Sequence, residues 1–184
     1  MSDITPLIPR QAVPALSVPL VGGGNWSLGD AKPQNFTLVV FYRGLHCPIC
    51  RAYLSELQRT LPKFAERGVD VVAISSDGEA RAGEAKDSWK LGDLSIGHSL
   101  DLATARAWGL YVSSGRGKTS TGVEEPALFS EPGLFLVRPD GTLYFGAVQT
   151  MPFARPHFAD LIASLGFVLK NDYPARGEIE TLAA

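Results

Sequence analysis

The sequence is poor in the residues that build disulfide scaffolds and metal sites. Its 184 residues include two cysteines and three histidines. Two cysteines are too few for a fold that is stabilised by several disulfides. The histidines, His46, His98 and His157, lie far apart, and there is no second Cys-x-x-Cys. A zinc site would need further ligands of this kind. The sequence therefore predicts no metal, and it calls for no other cofactor.

Long apolar runs and an excess of basic residues are also missing. No run approaches the roughly 18 apolar residues of a membrane span. Prolines interrupt residues 1–20, so this segment does not resemble a secretory signal. With 17 basic and 19 acidic residues, the formal net charge is −2, which provides no patch for nucleic acid. We expect a cytoplasmic protein that binds neither membranes nor nucleic acid.

One stretch, Phe36 to Leu57, contains both cysteines and shows clear strand and helix patterns. It reads FTLVVFYRGLHCPICRAYLSEL: an apolar run, a turn, a Cys-x-x-Cys and a helical pattern. An apolar run without polar alternation is typical of a strand buried on both faces. Pro48 suits the first turn of a helix. Apolar residues then follow at helical spacing: Leu54, Leu57, Leu61 and Phe64.

This pattern predicts a redox site with Cys47 at the helix N-terminus. That position stabilises a thiolate, the reactive form of cysteine, so Cys47 is predicted to be an exposed nucleophile with a low pKa. Cys50 is predicted to be the more buried, resolving partner that closes a redox-active disulfide. Arg43 and His46 are expected to add positive charge and to contact the substrate. Half of a zinc site and two inert core cysteines are the alternatives.

The rest of the chain predicts an α/β architecture. A second β-branched run, Val69 to Ser75, follows the first helix, which is typical of a right-handed βαβ unit. Asp140-Gly141 between two apolar runs predicts a hairpin. The other predicted elements are an N-terminal hairpin near 21–28, a helix ending near 89, a strand at 94–96, helices at 103–108 and 155–165, and a loop at 111–131.

Together these elements describe a mixed central sheet with helices on both faces. We expect one domain over residues 1–184, with an N-terminal arm at 1–20 and a C-terminal tail at 169–184.

Three segments resemble one known family. The most specific is FYRGLHCPICRAYLSEL at 41–57, and two weaker ones are SSDGEARAGEAKDSWKLGDLSIGHSLDLATARAWGL at 75–110 and EPGLFLVRPDGTLYFGAV at 131–148. On these residues the chain resembles the peroxiredoxin-like branch of the thioredoxin superfamily, related to alkyl hydroperoxide reductase and the thiol-specific antioxidants. The resemblance covers about residues 15–167. It implies a thioredoxin-like fold with an N-terminal β-hairpin extension.

The resemblance also implies roles for single residues. It makes Cys47 the attacking cysteine and Pro132 the cis-proline that faces the Cys-x-x-Cys and the substrate; an ordinary trans proline is the alternative. Typical peroxiredoxins place a proline seven residues, and a Thr or Ser three residues, before the attacking cysteine. Counted from Cys47, this chain has Val40 and Gly44 there, and Pro132 replaces a typical arginine. Arg43 is the candidate substitute for these peroxide-binding groups.

Three functions are compatible with these residues. The first is a peroxiredoxin-like enzyme that reduces hydroperoxides through a Cys47/Cys50 dithiol–disulfide cycle, with a thioredoxin- or glutathione-type electron donor. The second is a thioredoxin-like thiol–disulfide oxidoreductase acting on protein or small-molecule disulfides. The third is a non-catalytic, redox-responsive binding protein. Related proteins often form homodimers, so a homodimer is also considered.

Overall fold

The computed structural model describes residues 4–181. Its strands are β1 (Ser17–Pro19), β2 (Asn25–Ser27), β3 (Phe36–Phe41), β4 (Val69–Ile74), β5 (Ser95–Gly97), β6 (Val112–Ser114), β7 (Leu128–Ser130), β8 (Gly133–Val137) and β9 (Leu143–Val148). Its helices are α1 (Pro48–Ala65), α2 (Glu79–Ser88), α3 (Leu102–Ala107) and α4 (Phe158–Asn171).

The central sheet has five strands in the order β5-β4-β3-β8-β9. Strand β3 lies in the middle, parallel to β4 and antiparallel to β8, so the predicted mixed sheet and the βαβ unit are confirmed. All six residues of β3 are buried. This burial explains why the sequence of β3 lacks polar alternation, since a strand covered on both faces has no solvent side.

Helices cover both faces of the sheet, as predicted. On one face α1 and α4 meet where the rings of Phe64 and Phe158 lie 6.2 Å apart, and α2 contributes Ala82 and Ala85 to the same core. On the other face Trp108, which ends α3, packs on Phe41 of β3 at 5.5 Å between ring centroids. The turn that follows β3 is therefore embedded between two packed layers.

The N-terminal hairpin is confirmed as well. Strands β1 and β2 pair antiparallel, with Val18 opposite Trp26. The segment after β1 continues along the sheet, where the Val21 N–H donates to the Ile96 carbonyl at 2.9 Å. Residues 20–21, next to β1, thus lie along the β5 edge of the sheet.

Two expectations need correction. The segment at 111–131 is not only a loop, because β6 and β7 pair antiparallel with Ser113 opposite Phe129. The last helix begins at Phe158 rather than at residue 155, since His157 has an extended backbone (φ −75°, ψ 135°) and forms the N-cap. It also continues to Asn171, which shortens the expected tail. No helix within residues 4–181 is long and apolar enough to cross a membrane.

Candidate active site

The two cysteines occupy the junction between β3 and α1. Cys47 is the N-cap of α1, and its Sγ accepts the backbone N–H of Cys50 at 3.1 Å. Both thiols are free. The predicted placement of Cys47 at the helix N-terminus is confirmed, and Pro48 lies at the start of the helix, where its missing N–H costs no intrahelical bond.

The predicted exposure of Cys47 is wrong. Its side chain is 1% exposed and that of Cys50 is 0% exposed, and both belong to the core on the α1 face of the sheet. The helical pattern of α1 alone could not predict this burial, because residues far along the chain, such as Arg155, also contact the cysteines.

Arg155 is the residue that sequence reasoning missed. Its Nη2 donates to the Sγ of Cys50 at 3.0 Å, although the two residues are 105 positions apart. The guanidinium also lies over the Tyr53 ring, 4.9 Å from its centroid. The Tyr53 hydroxyl in turn donates to the Pro156 carbonyl at 2.7 Å, which fixes the segment that carries Arg155. No local sequence signal marks this arginine.

The two sulfurs have opposite electrostatic environments. The hydrogen bond between the two sulfurs and then burial raise the pKa of Cys47. Burial also acts to raise the pKa of Cys50, but the hydrogen bond from the Cys47 thiol and the charge of Arg155 outweigh it and lower that pKa. These contacts lower the pKa of Cys50 and raise that of Cys47, which is the opposite of the direction expected from the helix N-terminus alone.

The Arg43 guanidinium pairs with two carboxylates. Its Nε lies 3.3 Å from the Oε2 of Glu131, and its Nη2 lies 3.5 Å from the Oε1 of Glu125. Its guanidinium also stacks over the Phe129 ring at 4.7 Å. Arg43 thus links the turn after β3 to the β6–β7 segment.

His46 is buried and adds no positive charge at neutral pH. Its ring packs against that of Phe129, with centroids 4.6 Å apart. Burial, followed by the nearby charge of Arg43, lowers the pKa of His46 to about 4. The expectation that His46 helps to stabilise a thiolate by its charge is therefore wrong.

Pro132 is not a cis-proline. All peptide bonds within residues 4–181 are trans. The Glu131 N–H donates to the Tyr111 carbonyl at 2.7 Å and the Pro132 carbonyl accepts the Gln149 N–H at 3.0 Å, so the chain runs extended into β8. Gly133 pairs with Phe41, which places Pro132 at the same end of β3 as the cysteine turn.

Comparison with models of protein families assigns the chain to one family. The sequence model of the AhpC/TSA family matches residues 9–145, about three quarters of the chain. The chain belongs to the AhpC/TSA family. It is a peroxiredoxin-like oxidoreductase of the thiol peroxidase class, and the resemblance seen in the sequence is confirmed.

Solved structures share the fold at low sequence identity. Peroxidoxin BcpB from Mycobacterium tuberculosis is 17% identical, with a TM-score of 0.69 over 88% of this chain and 98% of that one. A mutant of peroxiredoxin 6 from Arenicola marina is 18% identical, with a TM-score of 0.72 over 89% and 74%. AhpC from Enterococcus faecalis is 15% identical, with a TM-score of 0.69 over 92% and 98%. These likenesses confirm the thioredoxin-like fold. No curated protein matches the chain in sequence.

The AhpC/TSA-family chain has a small cavity beside its cysteine turn. Its volume is about 160 Å³, and its lining residues are Leu45, Pro48, Arg51, Glu84, Ser88, Trp89, Thr121 and Val123. A larger cavity of about 450 Å³ lies near Thr37 and Arg138, at the opposite end of β3 from the cysteines. No group of three or more potential metal ligands occurs within residues 4–181.

Proposed function

We propose that the chain reduces hydroperoxides with Cys50 as the attacking thiolate and Cys47 as the resolving thiol. The guanidinium of Arg155, 3.0 Å from the Cys50 sulfur, supports this assignment most directly. A cation at that distance favours the thiolate over the thiol, and the thiolate is the nucleophile. Cys47, whose pKa is raised, keeps its proton and can donate it to the neighbouring sulfur.

The proposed cycle has three steps. The Cys50 thiolate attacks one peroxide oxygen, the O–O bond breaks, and one proton is taken up, which gives a sulfenic acid and an alcohol or water. The Cys47 thiol then displaces water from the sulfenic acid and forms a Cys47–Cys50 disulfide. A dithiol donor of the thioredoxin type, or glutathione, reduces this disulfide by exchange and returns both thiols.

This assignment also changes which residues occupy the positions of the typical peroxiredoxin pattern. Counted back from Cys50, the position of the typical proline is Arg43 and the position of the typical Thr or Ser is Cys47. A thiol thus replaces the hydroxyl three residues before the attacking sulfur. Cys47 can therefore serve first as a hydrogen-bond donor to the thiolate and afterwards as the resolving group.

Burial favours the peroxidase over the thiol–disulfide oxidoreductase. Attack on a protein disulfide requires an accessible sulfur in the reduced chain, whereas the reduced Cys47 and Cys50 are 1% and 0% exposed. Reduction by the donor requires instead that a sulfur of the oxidised pair becomes accessible. A small hydroperoxide needs far less room. Substrate contacts by Arg43, His46 and Pro132 stay predictions, and Arg155 joins them as the group closest to the reacting sulfur.

Single-turnover oxidation of two cysteine variants tests the assignment. In Cys47→Ser, a stoichiometric dose of hydrogen peroxide should give a stable sulfenic acid on Cys50, captured by a dimedone probe and located by mass spectrometry. In Cys50→Ser, oxidation should fall to the rate of the urea-unfolded control. A fast sulfenic acid on Cys47 in Cys50→Ser would instead restore the order predicted from the sequence. A small aromatic disulfide, tested alongside, measures the competing exchange activity.

We also propose a cytoplasmic setting and a homodimer. Thiol systems keep a cysteine pair reduced in the cytoplasm, as the cycle requires. Strand β9 is at the edge of the central sheet, and Phe145 on it is 36% exposed, which favours association of two copies. Light scattering of the wild type and of Phe145→Asp tests the dimer, since the variant should shift toward the monomer mass.

A further inference from the structure

Asp77 is a buried carboxylate that contacts the turn leading to the cysteines. Its side chain is 0% exposed. Its Oδ2 accepts the Leu45 N–H at 2.7 Å, and its Oδ1 accepts from the Nε of Arg81 at 3.0 Å. Buried carboxylates are retained when they are paired and hydrogen-bonded, and Asp77 satisfies both conditions.

Gly44 provides the space for this carboxylate. Its φ is +130°, a conformation that L-residues with side chains rarely adopt. A Cβ at this position would lie 2.5 Å from the Oδ2 of Asp77. The Gly44 carbonyl also accepts the Cys47 N–H at 3.1 Å. The same turn thus contacts the Asp77 carboxylate on one side and holds the Cys47 backbone on the other.

We propose that Asp77 is a positioning residue for the thiol pair, fixing the turn from Gly44 to Cys47 and thereby the place of the Cys47 sulfur relative to Cys50. The N–H of Leu45 lies within this turn, two residues before Cys47, so its hydrogen bond to a buried carboxylate in the segment after β4 restricts the turn. This inference rests on the proposed dithiol function, because it concerns how well Cys47 donates to, and later reacts with, Cys50.

Arg81 neutralises the charge of the Asp77 carboxylate. Besides the Asp77 pair, its Nη2 donates to the Glu124 carbonyl at 3.0 Å. An unpaired carboxylate at Asp77 would disfavour a nearby thiolate, since like charges raise each other's pKa. Asp77 therefore supplies a hydrogen-bond acceptor to the turn without leaving a net negative charge beside the thiol pair.

Variants of Asp77 separate its acceptor role from its charge. Asp77→Asn keeps an oxygen that accepts the Leu45 N–H, whereas Asp77→Ala removes it. Loss of a hydrogen bond to a charged group changes an equilibrium by about tenfold or more. Asp77→Ala should therefore slow disulfide closure after a peroxide pulse by about tenfold, whereas Asp77→Asn should keep most of the closure rate. Because both variants lose the same charge, the acceptor role appears as a higher pH midpoint of Cys50 alkylation in Asp77→Ala than in Asp77→Asn.

Asp101→Asn is the matched control. The Asp101 carboxylate also accepts a backbone N–H, that of Thr104 at 3.0 Å, but it caps α3 on the other face of the sheet. This variant should lower stability without changing the alkylation profile. A folded Asp77→Ala chain with wild-type closure and alkylation would overturn the proposal.

Gly44→Ala approaches the same contact from the opposite side. If Asp77→Ala does not fold, Gly44→Ala alone tests the proposal: the added Cβ displaces the carboxylate and should slow disulfide closure, and a folded Gly44→Ala chain with wild-type closure would overturn the proposal. Where Asp77→Ala folds, the Gly44→Ala change is also made in that background. Its defect should be larger in the wild-type background than in Asp77→Ala, because the clash with the carboxylate is absent in the double variant. Equal defects in both backgrounds would contradict the steric contact. If the wild type forms no peroxide-dependent disulfide, the proposed function fails, while the alkylation profiles still report on Asp77.

Discussion

Replacing Arg155 should weaken the acidity of Cys50 by a predictable amount. The variant Arg155→Gln removes a guanidinium whose Nη2 lies 3.0 Å from a fully buried sulfur. A hydrogen bond to a charged group contributes about 1.5–3 kcal/mol. At about 1.4 kcal/mol per unit, the pKa of Cys50 should rise by roughly one to two units. Solvent ions screen a buried contact of this kind only weakly.

The decrease in the peroxide rate should be smaller than the decrease in the thiolate fraction. At neutral pH the thiolate fraction falls by about tenfold for each unit by which the pKa exceeds the pH. A thiolate of higher pKa is intrinsically more nucleophilic, with a Brønsted coefficient of about 0.4–0.5, which recovers part of that loss. Because the pKa of Cys50 starts at about 6, a rise of one to two units lowers the thiolate fraction at neutral pH by about two- to tenfold. The gain in nucleophilicity offsets most of this loss, so the peroxide rate near neutral pH should change by less than about threefold.

Alkylation of a chain with a single cysteine measures the shift without ambiguity. In the Cys47→Ser background, the rate of Cys50 alkylation by iodoacetamide is followed against pH, with and without Arg155→Gln. Arg155→Lys, which keeps the charge, should give an intermediate midpoint. Arg59→Gln, an exposed change of the same charge on α1, should leave the midpoint near that of the parent. An unchanged midpoint in Arg155→Gln would refute the assignment of the thiolate to Cys50.

Three further outcomes follow from buried groups. Because the pKa of His46 is lowered to about 4, only the unfolded chain protonates this imidazole between pH 6.5 and 4. The free energy of unfolding should therefore fall by about 3 kcal/mol as the pH falls through that window. Chemical denaturation of His46→Phe should not show this decrease. Arg43→Met leaves Glu131 unpaired and should cost about 3–5 kcal/mol in urea unfolding, most of it regained in Arg43→Met/Glu131→Gln. Leu54→Ala, at a position with 0% exposure in α1, should cost about 2–5 kcal/mol in the same assay without moving the Cys50 alkylation midpoint.

Local sequence patterns were sufficient for the elements that frame the site. The β-branched runs of β3 and β4 and the leucine spacing of α1 reflect burial along single elements, so they could be predicted without knowledge of distant contacts. The N-cap position of Cys47 was predictable for the same reason, because Pro48 and the helix pattern lie beside it. Element ends were harder, as with α4, where the contact between Tyr53 and Pro156 helps to fix the segment before His157.

The proposed roles of the two thiols could not be predicted because they rest on a long-range contact. Helix geometry favours charge on Cys47, whereas the nearest cation approaches Cys50 from the segment before α4. The pairing of Arg43 with Glu125 and Glu131 likewise depends on the β6–β7 segment, whose serine- and glycine-rich sequence gives little strand signal. Gly44 was noted only as a departure from the typical Thr or Ser, and its contact with Asp77 required the packed turn.

The separation of Arg155 from Cys50 along the chain has a consequence for biosynthesis. Residues 47–50 emerge from the ribosome long before residue 155 is translated, so the thiols of the nascent chain have ordinary acidity at first. Under the proposed function, the sulfur gains its acidic character only when the segment preceding α4 docks. Peroxide sensitivity should thus be acquired together with the complete fold. A thiol probe that prefers acidic thiols would then distinguish finished molecules from incomplete ones during translation.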